Sequence, residues 1–227
     1  MARVIKKKKL RLLPFFIFII VITIIVFVCL FVLDTKVKNI IITGNKVLHD
    51  DEVIDLAGLT DYPSFYKTLN ISIKNDISKN PIIKSVDINR SFYHVIEIEI
   101  EEYQILYKRE DNGKYVLENK EEITLDRETP YTVPRLINEI PKEKLNSFIK
   151  YFKRIDLSIR EKISEIKYEP NDFDKDRFLL YMDDGNSVYM TITKFERLNY
   201  YNDVLPQLDG RKGILYLDSG NHFQIME

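Results

Sequence analysis

The chain has 227 residues, with 34 Lys and Arg, 35 Asp and Glu, one cysteine and no tryptophan. This length leaves room for a membrane anchor and one or two small domains, which excludes a large enzyme. Six basic residues precede an apolar run, and without them 28 basic residues face 35 acidic ones, a net charge of −7. That charge does not suggest a nucleic-acid-binding protein, so we expect no nucleic acid among the partners.

The first element is an apolar run from Leu12 to Leu33. It holds 22 residues without a charge, and all but Pro14, Thr23 and Cys29 are Leu, Ile, Val or Phe. At about 1.5 Å of rise per residue a helix of this length spans roughly 33 Å, enough to cross a hydrocarbon core of roughly 30 Å. The sequence therefore predicts a transmembrane helix at residues 12–33.

A cleaved signal peptide is the alternative explanation of this run. The run is longer than the usual apolar part of about 7–15 residues, and its last stretch, LFVLDTK, offers no small-x-small cleavage site. Because the six basic residues all precede the run, residues 1–11 should form a cytoplasmic tail and the bulk of the chain should lie outside the membrane. The lone cysteine lies within the run, so the exported part has no disulfide and depends on its own core. We expect a single-pass protein of a bacterial cell membrane, in contact with the lipid bilayer.

Residues 34–102 predict a small domain with the order β-α-α-β-β. The β-branched run VKNIIIT predicts the first strand, which ends at Gly44-Asn45. Two short helices follow, and the second ends before Pro81. The stretches IIKSVDINRSF and HVIEIEIEE predict two strands. In the second of these, Ile alternates with Glu, so one face is packed and the other is wet.

The stretch GNKVLHDDEV begins the first of these helices and raises the question of a metal site. If His49 is the N-cap, Glu52 occupies the N3 position of a capping box, whereas the low capping propensity of His leaves Asp50 as an alternative. Either way, carboxylates lie in the first turn, where free N–H groups and the helix dipole favour them. Consecutive helical positions point about 100° apart, so four neighbouring side chains do not converge on one ion. We therefore expect no metal and no cofactor.

These elements resemble a POTRA domain placed directly after a single membrane helix. The resemblance rests on the strand, the GN turn, the capped helix that ends in AGL, the stretch ISKNPIIKSVDINRSF and the alternating strand that ends in EE. That combination is similar to the FtsQ/DivIB family of bacterial cell-division proteins. The matching residues are Gly44, Asn45, Glu52, Gly58, Leu59, Pro81, Ile83, Val86, Arg90, Ile96, Ile98 and Glu101.

Residues 103–227 predict a mixed α/β domain, which the same resemblance identifies as the β domain of the family. The first element is a predicted hairpin at GKYVLENKEEIT. It is followed by YTVPRLIN, which resembles the family's short strand with a proline. A helix with one apolar face is predicted at EKLNSFIKYFKRI. ISEIKYE, RFLLYM and SVYMTI predict strands, the last two joined by an Asp-Gly turn. KFERLNYYNDVLPQL predicts a helix, and GILYLDSGNHFQI predicts closing strands that include a C-terminal edge strand. The predicted fold class is α+β.

The resemblance implies a division scaffold at the septum, with no enzymatic activity. It implies FtsB/DivIC-like and FtsL-like single-span partners outside the membrane. Through them the protein would link early and late division proteins to septal peptidoglycan synthesis. Septal peptidoglycan synthases and the cell wall are further candidate partners. The implied mode of binding is β-augmentation, in which an edge strand pairs with a partner segment. The partner-binding residues carried over from the family are Arg197, Tyr200, Tyr201, Tyr216, Leu217, Ser219, Gly220 and Phe223. Tyr216 stands where members carry a charged contact, so pairing here should rely more on backbone and apolar contacts.

A membrane-anchored extracellular protein that binds or processes peptidoglycan is the alternative function. The sequence has no G-x-S-x-G, H-E-x-x-H, paired C-x-x-C or Gly-rich phosphate loop. Asp218, Ser219 and His222 contain the elements of a catalytic triad, but within five residues of a strand-turn-strand they would be hard to converge. A lysine-rich helix face could bind anionic wall polymer, although such a face is usually only solvated. Its basic residues are Lys142, Lys144, Lys150, Lys153 and Arg154.

Overall fold

The computed structural model describes residues 13–226, so the predicted cytoplasmic tail and Leu12 lie outside the described residues. The described part begins with helix α1 (Leu13–Leu33), which has a mean hydropathy of 3.6 and no buried residue. Within residues 13–226 it is the one helix long and apolar enough to cross a membrane. The hydroxyl of Thr23 donates a hydrogen bond to the carbonyl of Ile19 (2.9 Å), so this polar group is satisfied inside the helix.

The described chain forms two compact units. The first contains the residues up to Lys79 together with Val86–Ile100, and the second contains Asn80–Ser85 together with the residues from Glu101 onward.

Residues 34–102 have the predicted order β-α-α-β-β, and this stretch belongs to the first unit except for residues 80–85, 101 and 102. Its elements are β1 (Asn39–Thr43), α2 (Asp50–Leu56), α3 (Asn70–Ile77), β2 (Ile83–Ser91) and β3 (Val95–Glu102). The sheet order is β1-β3-β2, with β1 parallel to β3. The predicted alternation in β3 is confirmed, because its isoleucines are buried whereas Glu97, Glu99 and Glu101 are exposed. In α3, Ile73 and Ile77 are buried, but Ile71 is exposed.

His49 is the N-cap of α2, so the first of the two predicted alternatives is the one observed. Its backbone is extended, and its N–H donates to the carboxylate of Glu52 at 2.8 Å. Leu48 and Val53, on either side of the cap, are both buried, which is the arrangement of a hydrophobic staple. Asp50 instead accepts a hydrogen bond from the side chain of Asn45 (2.7 Å). The run of polar residues therefore starts a helix.

The second unit is built on a nine-stranded sheet. Its strands are β4 (Ile105–Arg109), β5 (Tyr115–Leu117), β6 (Glu122–Ile123), β7 (Arg135–Leu136), β8 (Ile163–Tyr168), β9 (Arg177–Met182), β10 (Ser187–Thr191), β11 (Gly213–Tyr216) and β12 (His222–Ile225). Their order in the sheet is β12-β11-β10-β9-β8-β7-β4-β5-β6. The helices are α4 (Lys142–Phe152), α5 (Leu157–Arg160) and α6 (Tyr201–Val204). The predicted hairpins β5–β6 and β9–β10 are both present.

Four phenylalanines from α4, β9 and the segment after β10 form the centre of the second core. Phe148 stacks on Phe152 and on Phe178, each with ring centroids 5.0 Å apart, and Phe195 meets all three edge-on. All four side chains are fully buried. This cluster holds α4 and the segment after β10 against one face of the sheet, and fixes the position of the chain that leads into α6.

The helix that the sequence predicts at residues 194–208 is present, but it consists of three consecutive helical pieces. Residues Ile192–Tyr200 form a 3₁₀ helix, one turn of α-helix (α6) follows, and Leu205–Leu208 is again 3₁₀. We call the whole stretch, residues 192–208, the helical segment. From residue 192 to residue 201 its buried side chains recur every third residue, and a 3₁₀ helix places that spacing in one line because it has three residues per turn. They are Ile192, Phe195, Leu198 and Tyr201.

Candidate functional site

The C-terminal strand β12 is one edge of the second sheet in the described part of the chain. It pairs antiparallel with β11, and beyond its end the N–H of Met226 donates to the carbonyl of Lys212 at 3.0 Å. In an antiparallel pair, the backbone N–H and C=O groups of one residue bond to the neighbouring strand, and those of the next residue point away from it. The N–H and C=O groups of Phe223 and Ile225 therefore point to the open side of the sheet. These are the groups that a partner strand would use.

A groove of about 590 Å³ lies beside this edge, between the helical segment and strands β11 and β12. The helical segment contributes Arg197, Tyr200 and Tyr201, and the strand side contributes Leu217 and Phe223. Five of the eight residues carried over from the family thus line one surface. The sequence did not indicate the other lining residues, which are Val204, Gln207, Leu208, Leu215, Asn221 and His222.

The five predicted residues in the groove differ in exposure. The Tyr200 side chain is 67% exposed and Arg197 is also exposed, so both can be reached from solvent. Phe223 is half-buried in β12, on the same face of the sheet as Leu215 opposite it. Leu217 is buried, and its N–H donates to the carbonyl of Tyr189 (2.8 Å). The groove therefore has an apolar floor with a tyrosine and an arginine on its rim.

Tyr201 supports the groove from beneath. Its side chain is 2% exposed, and its hydroxyl lies 3.0 and 2.9 Å from the two carboxylate oxygens of Asp184. Buried Asn186 donates to the same hydroxyl (3.1 Å) and accepts the N–H of Gly213 (3.0 Å). Burial raises the pKa of the Tyr201 phenol far above its usual value, and the nearby Asp184 carboxylate raises it further. The network joins the helical segment to the β9–β10 turn and to the start of β11.

Asp218 fixes the connection between β11 and β12. Its carboxylate accepts a hydrogen bond from Arg177 (2.7 Å), and its backbone carbonyl accepts one from the ammonium group of Lys194 (2.5 Å). Burial by itself would raise the pKa of Asp218, but the hydrogen bonds from Arg177 and Ser219 outweigh burial and hold this pKa below its usual range. The sequence contained no local signal for this clamp, because Arg177 lies 41 residues away.

Tyr216 lies on the opposite face of the sheet from the groove and belongs to a stack of four side chains, which we call the ladder. The Arg177 guanidinium lies 3.4 Å from the ring centroid of Tyr189, Tyr189 stacks on Tyr216 at 5.3 Å, and Tyr216 stacks on His222 at 4.5 Å. Tyr189, Tyr216 and His222 are direct cross-strand neighbours in β10, β11 and β12. The ladder therefore connects the edge strand to β9, three strands away.

The four carried-over residues Tyr216, Ser219, Gly220 and Phe223 are divided between two strands and their connection. Tyr216 ends β11, Ser219 and Gly220 lie exposed in the connection, and Phe223 belongs to β12. Of the eight carried-over residues, only Phe223 lies in the edge strand itself. The difference arises because the chain reverses after Leu217, so that β12 covers the side of β11 that would otherwise be open.

The residues of the suspected triad have structural roles. Asp218 is paired with Arg177, the Ser219 hydroxyl donates to Asp218 (3.1 Å), and the ring of His222 stacks on Tyr216. In the described residues, no group of three or more His, Cys, Asp or Glu side chains could hold a metal ion.

Two family models match most of the chain after α1. One, described as a POTRA domain of FtsQ type, matches residues 35–103, and the other, described as the C-terminal part of cell division protein FtsQ/DivIB, matches residues 106–219. These two matches define a bacterial cell-division protein with a POTRA domain, as the resemblance in the sequence suggested.

Individual proteins that are similar to this chain are also named as cell-division proteins. The chain is 31% identical to cell division protein DivIB of Bacillus subtilis (strain 168), over 96% of this chain and 85% of that protein. It is 29% identical to DivIB of Listeria monocytogenes serovar 1/2a, over 96% and 83% respectively. A solved structure of the major extracytoplasmic domain of DivIB from Geobacillus stearothermophilus, in its trans isomer, aligns with a TM-score of 0.39 and 23% identity, over 48% of this chain and 96% of that one.

The chain belongs to the FtsQ/DivIB family of bacterial cell-division proteins. Its fold is α+β, with an N-terminal apolar helix that is compatible with a membrane anchor, followed by a POTRA domain and the family's C-terminal domain. The relatives are named as cell-division proteins, and none of those names states a catalytic activity.

Proposed function

We propose that the protein is a single-pass division scaffold that captures a partner segment on the open side of β12. Helix α1 crosses the cell membrane, residues 1–11 stay in the cytoplasm, and the bulk of the chain lies outside, at the division septum. The observation that carries the proposal is a strand edge that is unpaired among residues 13–226 and lies next to an apolar groove in one domain. An open edge supplies main-chain hydrogen bonds, and the neighbouring groove supplies side-chain specificity.

The partners we propose are FtsB/DivIC-like and FtsL-like single-span proteins. A partner strand would pair with the outward groups of Phe223 and Ile225, while its side chains meet Arg197 and Tyr200 on the rim of the groove. Through this complex the protein would link early and late division proteins to septal peptidoglycan synthesis without catalysing a reaction itself. Tyr201 and Leu217 would act indirectly, because both are buried beneath that surface.

Direct binding to the wall through α4 has less support. Two of its five candidate basic residues are already paired with carboxylates: Lys144 is bonded to Asp176, and Arg154 lies 3.1 Å from Glu196. These pairs reduce the positive charge that the helix face offers to an anionic polymer.

The alternation of hydrogen bonds in β12 supplies a matched pair of variants to test the proposal. Ile225→Pro removes an N–H that points to the open side, whereas Gln224→Pro removes one that bonds to β11. We expect Ile225→Pro to keep the second domain folded and to lower capture of the DivIC-like partner at least tenfold. Gln224→Pro should instead detach β12 from the sheet.

The measurement is capture of the partner by the full chain in detergent, with hydrogen exchange at the β11 amides as the check on folding. Reduced capture by Ile225→Pro with protected β11 amides supports edge pairing. Undiminished capture by Ile225→Pro would show that the partner does not use this edge, and the proposal would fail.

A further inference from the structure

Four exposed aromatic side chains lie in two loops of the first unit. One loop connects α2 to α3, and the other is the turn between β2 and β3. We call these four residues, Tyr62, Tyr66, Phe92 and Tyr93, the aromatic patch. They are 46%, 45%, 102% and 81% exposed, respectively. Phe92 and Tyr93 are adjacent at the tip of a hairpin, where neither packs against a core. Two adjacent side chains of this size, both exposed, indicate a surface that is covered in the working protein.

The first loop is bonded to the residues that end α1. The hydroxyl of Ser64 donates to the carbonyl of Leu33, the last residue of the helix. The N–H of Phe65 donates to the carbonyl of Thr35 (2.8 Å). Because two residues span at most about 7 Å, this loop lies within about one headgroup layer of the end of α1.

The turn between β2 and β3 is bonded to the same short connection. The N–H of Lys38 donates to the carbonyl of His94 (2.9 Å), and the N–H of His94 closes the turn on the carbonyl of Ser91 (3.2 Å). The ring of His94 packs edge-on against Phe65 at 5.1 Å and Tyr66 at 5.8 Å. The two loops therefore form one surface around the chain that leaves α1.

Arg90 holds the first loop in place. Its guanidinium donates to the backbone carbonyls of Phe65 and Thr68, and its carbon atom Cζ lies 4.8 Å from the centre of the Phe65 ring. A side chain with several backbone bonds fixes the loop, so that the patch is presented in one arrangement.

The chemistry of the patch matches the boundary between lipid and water. Tyr and other aromatic residues concentrate at the headgroup level of a bilayer, because their rings are apolar and their polar atoms stay hydrated. Lys36 and Lys38, in the same connection, are exposed, whereas the ammonium group of Lys67 lies 3.4 Å from the carboxylate of Asp34. Ammonium groups at that depth are attracted to anionic phospholipid headgroups.

We propose that the aromatic patch inserts into the headgroup layer of the membrane that α1 crosses, so that the POTRA domain rests on the bilayer. The proposal depends on the proposed anchoring by α1. It adds a second membrane contact, which would restrict the tilt of the domain relative to the membrane. A protein partner that covers the patch in the aqueous phase is the competing explanation, and the test distinguishes the two.

The absence of tryptophan from the chain makes single-tryptophan reporters possible. Single-tryptophan variants of the full chain are reconstituted in vesicles of phosphatidylcholine and phosphatidylglycerol that carry no bromine, bromine on the acyl chains close to the headgroup, or bromine near the ends of the acyl chains. Phe92→Trp reports on the patch, Ile24→Trp reports on α1, and Phe173→Trp is the matched control, because Phe173 is 100% exposed in the second unit.

We expect bromine close to the headgroup to lower the fluorescence of Phe92→Trp at least twofold, and bromine near the ends of the acyl chains to lower that of Ile24→Trp at least twofold. Neither should change the fluorescence of Phe173→Trp. Tyr93→Trp should repeat the Phe92→Trp result. Quenching of Ile24→Trp without quenching at residues 92 and 93 overturns the insertion of the patch while leaving the anchor in place. An unquenched Ile24→Trp overturns the anchor, and the patch proposal with it.

Discussion

The imidazole ring of His222 lies parallel to the phenol ring of Tyr216, with 4.5 Å between the ring centroids and 5° between the ring planes. The two residues face each other across β11 and β12, so this contact fastens the edge strand to its neighbour. Phe223, next in the chain, points to the groove on the other face. The edge strand is thus held by stacking on one face and offers an apolar side chain on the other.

The stacking between Tyr216 and His222 can be measured by a double-mutant cycle. We expect the Tyr216→Ala and His222→Ala substitutions to be non-additive by about 0.5 to 1.5 kcal/mol, because each removes the same ring contact. The measurement is urea unfolding of the wild type, the two single variants and the double variant. Phe173→Ala combined with His222→Ala is the control, since Phe173 is fully exposed, and this pair should be additive to within about 0.5 kcal/mol. Additivity of the Tyr216 pair would show that the rings do not stabilise each other.

Tyr201 is buried and its neighbour Tyr200 is exposed, and this difference gives a second prediction. Tyr201→Phe should lower the free energy of unfolding by about 1 to 3 kcal/mol, because Asp184 and Asn186 each lose a buried hydrogen-bond partner. Tyr200→Phe should change it by less than about 0.5 kcal/mol, because Tyr200 is exposed. Denaturant unfolding of the two variants checks both values. Equal effects would contradict the role of the Tyr201 hydroxyl in the buried network.

Substitution of Asp218 should produce a pH-dependent loss of stability. The folded-state pKa of Asp218 is lowered, so its carboxylate stabilises the fold above the unfolded pKa of about 3.9, and this contribution is lost as the pH falls through the folded value. At pH 7, Asp218→Asn should lower the free energy of unfolding by about 3 kcal/mol, because it breaks a largely buried pair with Arg177.

The deficit of Asp218→Asn should shrink as the pH is lowered below about 4, because the unfolded wild type then binds a proton, and it should be smallest below the lowered folded-state pKa, where the folded wild type also loses the carboxylate charge. Asp172→Asn is the control, since its side chain is 99% exposed and the variant should match the wild type to within about 0.5 kcal/mol. Unfolding curves at pH 7 and at successively lower pH values provide the comparison. A deficit for Asp218→Asn that stayed constant with pH would mean that the carboxylate charge is not what stabilises the connection.

The start of α2 was predictable because all of its signals are local. The GN turn, His49 and Glu52 lie within nine residues of each other, and a capping box depends only on residues three positions apart. The alternation of isoleucine and glutamate in β3 is local in the same way, and it predicted which face is buried. The order and the type of the helices and strands in the first unit follow from such short-range patterns.

The ladder and the clamp at Asp218 could not be predicted in this way. Arg177, Tyr189, Tyr216 and His222 come from four strands, and only the order and register of the sheet bring them together. The family resemblance puts Tyr201 in the partner-binding set by its position alone, and a position in the sequence does not show that the side chain is buried. The sequence of residues 194–208 predicts a helix but not its type, because a three-residue apolar spacing fits one face of a short α-helix nearly as well as a 3₁₀ helix.

Gly44, in the turn after β1, gives a prediction about the POTRA domain. Its φ is +86°, and a Cβ atom at this position would lie 2.0 Å from the carbonyl oxygen of Ile100. Gly44→Ala should therefore lower the free energy of unfolding by at least about 3 kcal/mol, because backbone strain and a steric overlap add together. Gly113 is the matched control: its φ is +70°, but nothing lies within 4 Å of an added Cβ, so Gly113→Ala should cost only about 1 kcal/mol. Urea unfolding followed by circular dichroism measures both. Equal losses would indicate that only the positive φ matters at Gly44, and that the close approach of Ile100 can relax without cost.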